Sequence, residues 1–410
     1  MTEICIYAQV HQPFRLRQFR LFDIGTDGEY FDNENNRRLL RRVADKCYLP
    51  ANRLLADLIR RSNGEFKVAL SLSGALLDQL AEWAPDVLES FQDLVDTGGV
   101  ELLGETYFHS LASLASEEEF VEQVERHRRT IERWFGQRPT VFRNTELIYW
   151  DALAPAISRL GFRGVMVEGA DHVMGWRSPN HVYQAVTAPE LRLLPRNYRL
   201  SDDVGFRFSN RDWDGWPLTA PKYADWLASS GGDSLHLFVD YETFGEHQWA
   251  DTGIFDFLSH LPGECLKRGL KFVHPSRLAS RPPVAPLSFE RPTSWADLER
   301  DTSAWLGNRL QTAAQKRLYG LREAVLRSGD PQRLEQWRRL TTSDHLYYMC
   351  TKWFADGDVH KYFSPYESPY DAFIAFMNVA QDLEQSVAAL TPAEAEEVDW
   401  VHLAGLACVA

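Results

Sequence analysis

The chain has 410 residues, 44% of them hydrophobic and 25% charged, and carries a formal net charge of −14. Such a composition fits one large globular domain with a smaller companion, and the acidity, without any long basic cluster, argues against nucleic acid or an anionic membrane surface as partner. Five scattered cysteines without a CxxC pair argue against a disulfide framework or a thiolate zinc site, and no apolar run approaches the roughly 20 residues of a membrane span.

The first residues lack the basic and apolar regions of a secretory leader, so the cytoplasm is the expected compartment. A short apolar run over 3–9 predicts the first strand, and His11, Gln12 and Pro13 follow directly after it. The next strands are predicted at 66–72, with Ser73 at its end, and at 100–103, followed by Glu105 and His109. Between them, 85–96 reads as a helix with Pro85 in its first turn. Residues 117–135 are a clearer helix: Ser116 and Glu119 form a capping box, Phe120, Val124, Ile131 and Trp134 repeat at helical spacing, and Gly136 ends it.

A strand at 140–145 delivers Arg143, Asn144 and Glu146, and another follows at 164–168. The stretch 169–234, rich in Trp, Asp, Asn and Arg, reads as a long connection over a binding face, and its length suits a functional loop. Strand 235–240 ends on Asp240, with Glu242 and His247 just beyond, and strand 271–274 ends on His274. Prolines at 282, 283, 286 and 292 then break regular structure, and helices are predicted over 296–305, 308–328, 331–353 and 369–390. The division is therefore placed at 1–285, an α/β unit, and 286–410, a helical bundle packing on it.

Seven strands alternating with helices predict a parallel α/β barrel one strand short of the usual eight, incomplete or distorted. In such a barrel every carboxyl end lies on one rim, so these residues converge. Glu146 and Asp240 form the central pair, because glycosidic bonds are cleaved between two carboxyl groups brought from separate elements. In an extended chain Asp240 shares a face with Glu242, and Glu146 with Asn144. A second carboxylate beside Asp240 would raise one of the two pKa values, as suits an acid catalyst, while Arg143 would favour the ionised form of Glu146.

His11 and His109 offer N–H donors to sugar hydroxyls. Trp176, Trp213, Trp216 and Trp249, in predicted loops, offer faces for sugar rings. The histidines show no HxH, HxxxH or HExxH spacing, so no metal is expected, and nucleophile-elbow and phosphate-loop motifs are also missing.

Taken in order, these motifs resemble glycoside hydrolase family 57, in particular its α-amylase-type members. The resemblance rests on His11-Gln12-Pro13, on 99–109 (GVELLGETYFH), 142–149 (FRNTELIY), 240–247 (DYETFGEH), 295–308 (WADLERDTSAWLGN) and 343–353 (SDHLYYMCTKW). It implies a seven-stranded (β/α) barrel followed by a helical bundle, retention at the anomeric carbon, α-glucan or maltooligosaccharide substrates and no cofactor. Glu146 falls on the family's nucleophile and Asp240 on its acid/base. His11, Gln12, Glu105, His109, Arg143, Glu242, His247, Trp295, Asp297 and Trp305 are then the candidate substrate-binding residues. Transglycosylation by a 4-α-glucanotransferase or branching-type enzyme uses the same intermediate and stays open. So do an inert glucan-binding protein and a metal-dependent carbohydrate deacetylase. Nothing in the sequence sets the oligomeric state.

Overall fold

The computed structural model describes residues 2–352 and 364–390. Trp353, the last residue of a predicted helix, and 391–410 lie outside the described residues. The strands are β1 (Glu3–Val10), β2 (Val68–Leu72), β3 (Val100–Leu102), β4 (Val141–Arg143), β5 (Gly164–Glu168), β6 (Tyr183–Ala185), β7 (Arg192–Arg196), β8 (Ser234–Asp240), β9 (Lys271–Phe272) and β10 (Pro286–Leu287).

Seven of them close a parallel ring in the order β1, β2, β3, β4, β5, β7, β8. Ladders join β8 to β1, β1 to β2, β2 to β3, β4 to β5 and β5 to β7. Two short junctions complete the circuit. Gly104, just past β3, bridges Phe142 of β4, and the Asn197 N–H after β7 donates to the His236 carbonyl of β8 at 2.8 Å. The ring is distorted where β6 pairs antiparallel with the start of β7.

The predicted number of barrel strands stands, but the set differs. Six predicted strands belong to the ring. The seventh is β7, inside the stretch read as a long connection, where Pro195 and the flanking arginines interrupt the apolar signal a strand usually shows. Predicted strand 271–274 shrinks to two residues pairing with Glu3 and Ile4 at the base of β1. His274 therefore sits beside Lys67, Thr140 and Arg163, in a hollow away from the strand ends that carry the site.

The period of two along each strand sorts the side chains. On β1, Cys5 and Tyr7 enter the barrel interior with Met166, Leu194 and Phe238, while Ile4, Ala8 and Val10 face the surrounding helices. Helix Glu117–Phe135 has the predicted ends, with Gly136 left-handed at φ 66°. Its capping box is only half made. Ser116 accepts from the Glu119 N–H, but the Glu119 carboxylate is taken by Gln123 and Arg338.

The C-terminal helices gather around Trp305, Trp337, Leu318 and Val379, and the same core includes Leu16, Phe19 and Tyr30 from the loop after β1. Predicted helix 296–305 contracts to Ser303–Leu306, because Asp297 and Arg300 adopt φ of 55° and 53°, outside any right-handed helix. Segment 308–328 splits into Arg309–Gly320 and Arg322–Ser328, and 331–353 into Pro331–Leu340 and Ser343–Tyr347. Among the described residues no helix is long and apolar enough to cross a membrane.

Phe238 links fold to site: it packs on Tyr7 below, on Trp295 above and under the Arg143 guanidinium. Phe238→Ala is expected to cost about 3–5 kcal/mol of stability, measured by denaturant unfolding.

Candidate active site

The carboxyl ends of the ring open into a cleft. Its wall holds His11, Gln12, His109, Arg143, Glu146, Asp240, Glu242, His247, Trp295 and Trp305. Ten of the twelve candidates thus meet in one place. Glu105 lies directly behind His109, wholly buried. Asp297 is the exception: it pairs with Lys352 at 3.2 Å and is absent from the wall. None of Trp176, Trp213, Trp216 and Trp249 reaches the cleft either.

Glu146 does not follow the extended pattern expected after a strand. Its φ of 57° and ψ of 26° are left-handed, as is Leu147 at φ 53°. That conformation costs a non-glycine residue about 1–2 kcal/mol. A tight net offsets it: Leu147 N–H donates to the Asn144 carbonyl, Ile148 N–H to that of Thr145, and Asn144 Nδ2 to that of Ile148. Asn144 is thereby turned to Ser113 and Ile148 rather than into the cleft beside Glu146. Tyr149 and Thr293 then exchange backbone hydrogen bonds, which lays 293–295 along the turn that bears Glu146. The Trp295 indole N–H consequently donates to Glu146 Oε2 at 2.7 Å.

The other Glu146 oxygen accepts from His109 Nε2 at 3.0 Å, and His109 Nδ1 reaches Glu105 Oε2 at 3.2 Å. Burial alone would discharge His109, but the two carboxylates prevail and raise its pKa to about 9. It is therefore an imidazolium with both N–H groups donating. Burial would likewise raise Glu105 and Glu146, yet the His109 hydrogen bonds and charge lower both, Glu105 to about 2. Glu105 also accepts from Gln9 and Ser71.

Asp240 is displaced the opposite way. Burial first, then the negative charge of Glu146, raises its pKa to about 7, against the pull of Arg143. Glu242 rises to about 8, through burial and the charge of Asp240, while accepting from the Tyr48 hydroxyl at 2.5 Å. The extended pattern stops at Asp240, because 241–243 form a 3-10 turn. Gly245 closes that loop at φ 117°, where an added Cβ would lie 2.1 Å from the Lys46 carbonyl oxygen. Glu246 fastens it to Arg42 at 3.0 Å and Lys46 at 3.6 Å.

His11 stacks on His109 with ring centroids 4.3 Å apart. Burial and the His109 charge lower its pKa. Asp344, from the helical part, is ionised and can only accept, so His11 Nε2 donates to it at 3.2 Å. Nδ1 is left to accept from the Ser73 hydroxyl at 2.7 Å. His247 is half-buried, and desolvation lowers its pKa to about 4, so it is neutral.

Eight wall residues were not among the sequence candidates: Gln9, Pro13, Arg15, Phe206, Ala296, Asp344, Tyr347 and Tyr348. Alternation along β1 could have given Gln9, on the face of Cys5 and Tyr7. Asp344, Tyr347 and Tyr348 fall within a motif already noted at 343–353. Phe206, after helix Tyr198–Gly205, carries no local signal; it stacks on Trp295 with ring centroids 6.1 Å apart.

A closed seven-stranded ring with two carboxyl groups of opposite charge state in one cleft has the makings of a glycosidase. The profile of Glycosyl hydrolase family 57 matches residues 5–287. A protein of Methanocaldococcus jannaschii named "Putative alpha-amylase" is 43% identical over 395 residues, 92% of this chain and 83% of its own length. The chain belongs to glycosyl hydrolase family 57 and is a glycoside hydrolase. Among solved structures, a GH57-type branching enzyme from Pyrococcus horikoshii superposes with a TM-score of 0.70 at 14% identity, covering 98% of this chain and 94% of that one. A 4-alpha-glucanotransferase from Thermococcus litoralis gives 0.64 at 16% identity over 84% of this chain. The chain spans 56% of the glucanotransferase's length. At these identities the likeness is one of fold.

Gly245→Ala is expected to destabilise the protein by about 2–3 kcal/mol, through φ strain and the clash with Lys46, and to lower activity by moving Glu242 and His247. Urea unfolding and initial rates check this.

Proposed function

We propose that the protein is a retaining α-1,4-glucan hydrolase in which Glu146 is the nucleophile and Asp240 the acid/base. The observation that carries this is the opposite displacement of two neighbouring carboxyls: Glu146 ionised, Asp240 protonated near neutrality. The name of the 43% identical relative supports an α-glucan substrate. So does the aromatic wall of Phe206, Trp295, Trp305, Tyr347 and Tyr348, suited to pyranose faces.

The Glu146 carboxylate attacks the anomeric carbon, the glycosidic C–O bond breaks, and Asp240 gives its proton to the departing oxygen. Asp240, now a carboxylate, takes a proton from water. That water attacks the same carbon and frees Glu146. His109 sets the ionisation of Glu146, and His11, Gln12, Arg143, Glu242, His247 and Trp305 hold the sugar. A sugar hydroxyl in place of water would give transglycosylation by the same residues. In this reading 1–285 form the catalytic barrel, 286–410 the helical domain that completes the cleft, and the enzyme is cytoplasmic.

Product analysis on maltooligosaccharides and glycogen tests the assignment. Shorter α-configured sugars in the first minutes are expected; longer or branched products would replace hydrolysis by transfer, and β-configured products would overturn retention. Glu146→Gln should lose on the order of 10³-fold or more in kcat with folding intact. A mutant keeping a tenth of the wild-type rate would remove Glu146 from the role.

The pH profile of kcat/KM follows from the two shifts. Glu146 must be ionised, so activity is lost as pH falls through its lowered pKa. Asp240 must hold its proton, so activity is lost as pH rises through about 7. Asp240→Asn should remove the alkaline limb, slow natural glucans severely, and spare the first step with an activated aryl maltoside. Equal losses on both substrates would point to Glu242 instead.

A further inference from the structure

We propose that Asp202, outside the cleft wall, is a positioning residue: held between Arg196 and Arg300, it locks the Trp295 indole so that its N–H reaches Glu146. The inference rests on the reading of Glu146 as nucleophile.

Trp295 is gripped on every side but its open face. Its carbonyl oxygen accepts from Arg300 Nη1. The Arg196 guanidinium lies 5.5 Å from its ring centroid, Phe206 stacks on it, and Phe238 meets it edge-on. Both arginines are anchored to one carboxylate: Arg196 Nη2 donates to Asp202 Oδ1 at 2.5 Å, and Arg300 Nη2 to Asp202 Oδ2 at 3.2 Å. Arg196 also pairs with Glu168 at 3.4 Å inside the barrel, and Arg300 covers the Tyr198 ring at 4.9 Å.

The geometry is one of tension between two segments. Arg300 has φ of 53°, and its carbonyl accepts from the Ser294 N–H at 3.1 Å, so 294–300 forms a closed loop with Trp295 at its inner edge. Asp202 lies on helix Tyr198–Gly205, which continues from β7 of the ring. One carboxylate thus ties the loop after the barrel to the barrel itself. Without it the buried Arg196 guanidinium and the half-buried Arg300 guanidinium beside it would repel each other, and Arg300 would no longer fix the Trp295 carbonyl.

Glu146 is faced by His109, Arg143, Trp295 and Asp240. Asp202 is faced by Arg196 and Arg300, with Glu168, Asp203 and Tyr223 near enough to sense its charge. Among the described residues, Trp295 joins the second group to the first by hydrogen bonds, from Arg300 to its carbonyl and from its indole to Glu146. Losing the indole donor removes stabilisation of the Glu146 carboxylate and raises its pKa.

The test is a double-mutant cycle on the full chain, read from the acid limb of the kcat/KM profile on a maltooligosaccharide. Asp202→Asn and Trp295→Phe should each move that limb up by about one pH unit, and the double variant should move it no further. An unmoved limb in Asp202→Asn, or shifts that add in the double variant, overturns the proposal. If Asp202→Asn does not fold, as judged by circular dichroism melting, Arg300→Gln takes its place with the same expectation and the same refutation. Glu146→Gln separates the two levels. If it stays active, the nucleophile assignment falls and this inference with it; if it is inactive while the shifts add, only this inference falls.

Discussion

His109 holds one positive charge between Glu105 and Glu146, and the electrostatics of the cleft are arranged around it. Five carboxyls meet near the mouth of the barrel: Glu105, Glu146, Asp240, Glu242 and Asp344. They cannot all ionise in a partly buried space. Those touching an imidazole, Glu105, Glu146 and Asp344, are held down and stay charged. Those without such a partner, Asp240 and Glu242, are pushed up by burial and by their neighbours. Two carboxyls in different charge states are what double displacement asks of a site. Burial and the same imidazolium lower the pKa of the stacked His11, and the ionised Asp344 fixes its Nε2 as the donor.

The barrel alone would leave this arrangement half open. Trp295, Trp305, Asp344, Tyr347 and Tyr348 come from beyond residue 285 and form much of the wall. Trp305, Tyr347 and Tyr348 belong to the helical core that also includes Leu16, Phe19 and Tyr30 from the loop that follows His11. Burying those apolar groups together docks the helices, and docking lowers the local polarity that Asp240 experiences. Apolar packing and proton affinity are in this sense one effect. The backbone bears some cost for it. Among the described residues six non-glycine residues have positive φ, and His109, Glu146, Leu147, Asp297 and Arg300 cluster in or around the site.

Much of the fold was legible because it is written at short range. Ring strands other than β7 show runs of apolar or β-branched residues, and helix Glu117–Phe135 shows both its start and its stop. β7 escaped because Pro195 and two arginines interrupt Arg192-Leu193-Leu194-Pro195-Arg196, and Arg196 is held inside the barrel mouth by Asp202 and Glu168. The segment 296–302 misled in the other direction. Its residues could propagate a helix, but the backbone turns at Asp297 and Arg300 to present Trp295. The loop tryptophans misled for a third reason: composition counts aromatic faces without saying where they lie.

The sequence by itself determined which strand ends bring titratable side chains to the cleft, among them Glu146, Asp240, His11 and His109. Residue alternation and turn signals are local, and they survive in one dimension. Tertiary structure alone decided the partnerships: Trp295 on Glu146 across 149 residues, His11 on Asp344 across 333. It also decided the charge states. A pKa depends on burial and on charges arriving through space, and neither is encoded at the titrating residue. The left-handed turn at Glu146 belongs to the same class, since only its surroundings, from Thr106 to Thr293, make that conformation the stable one.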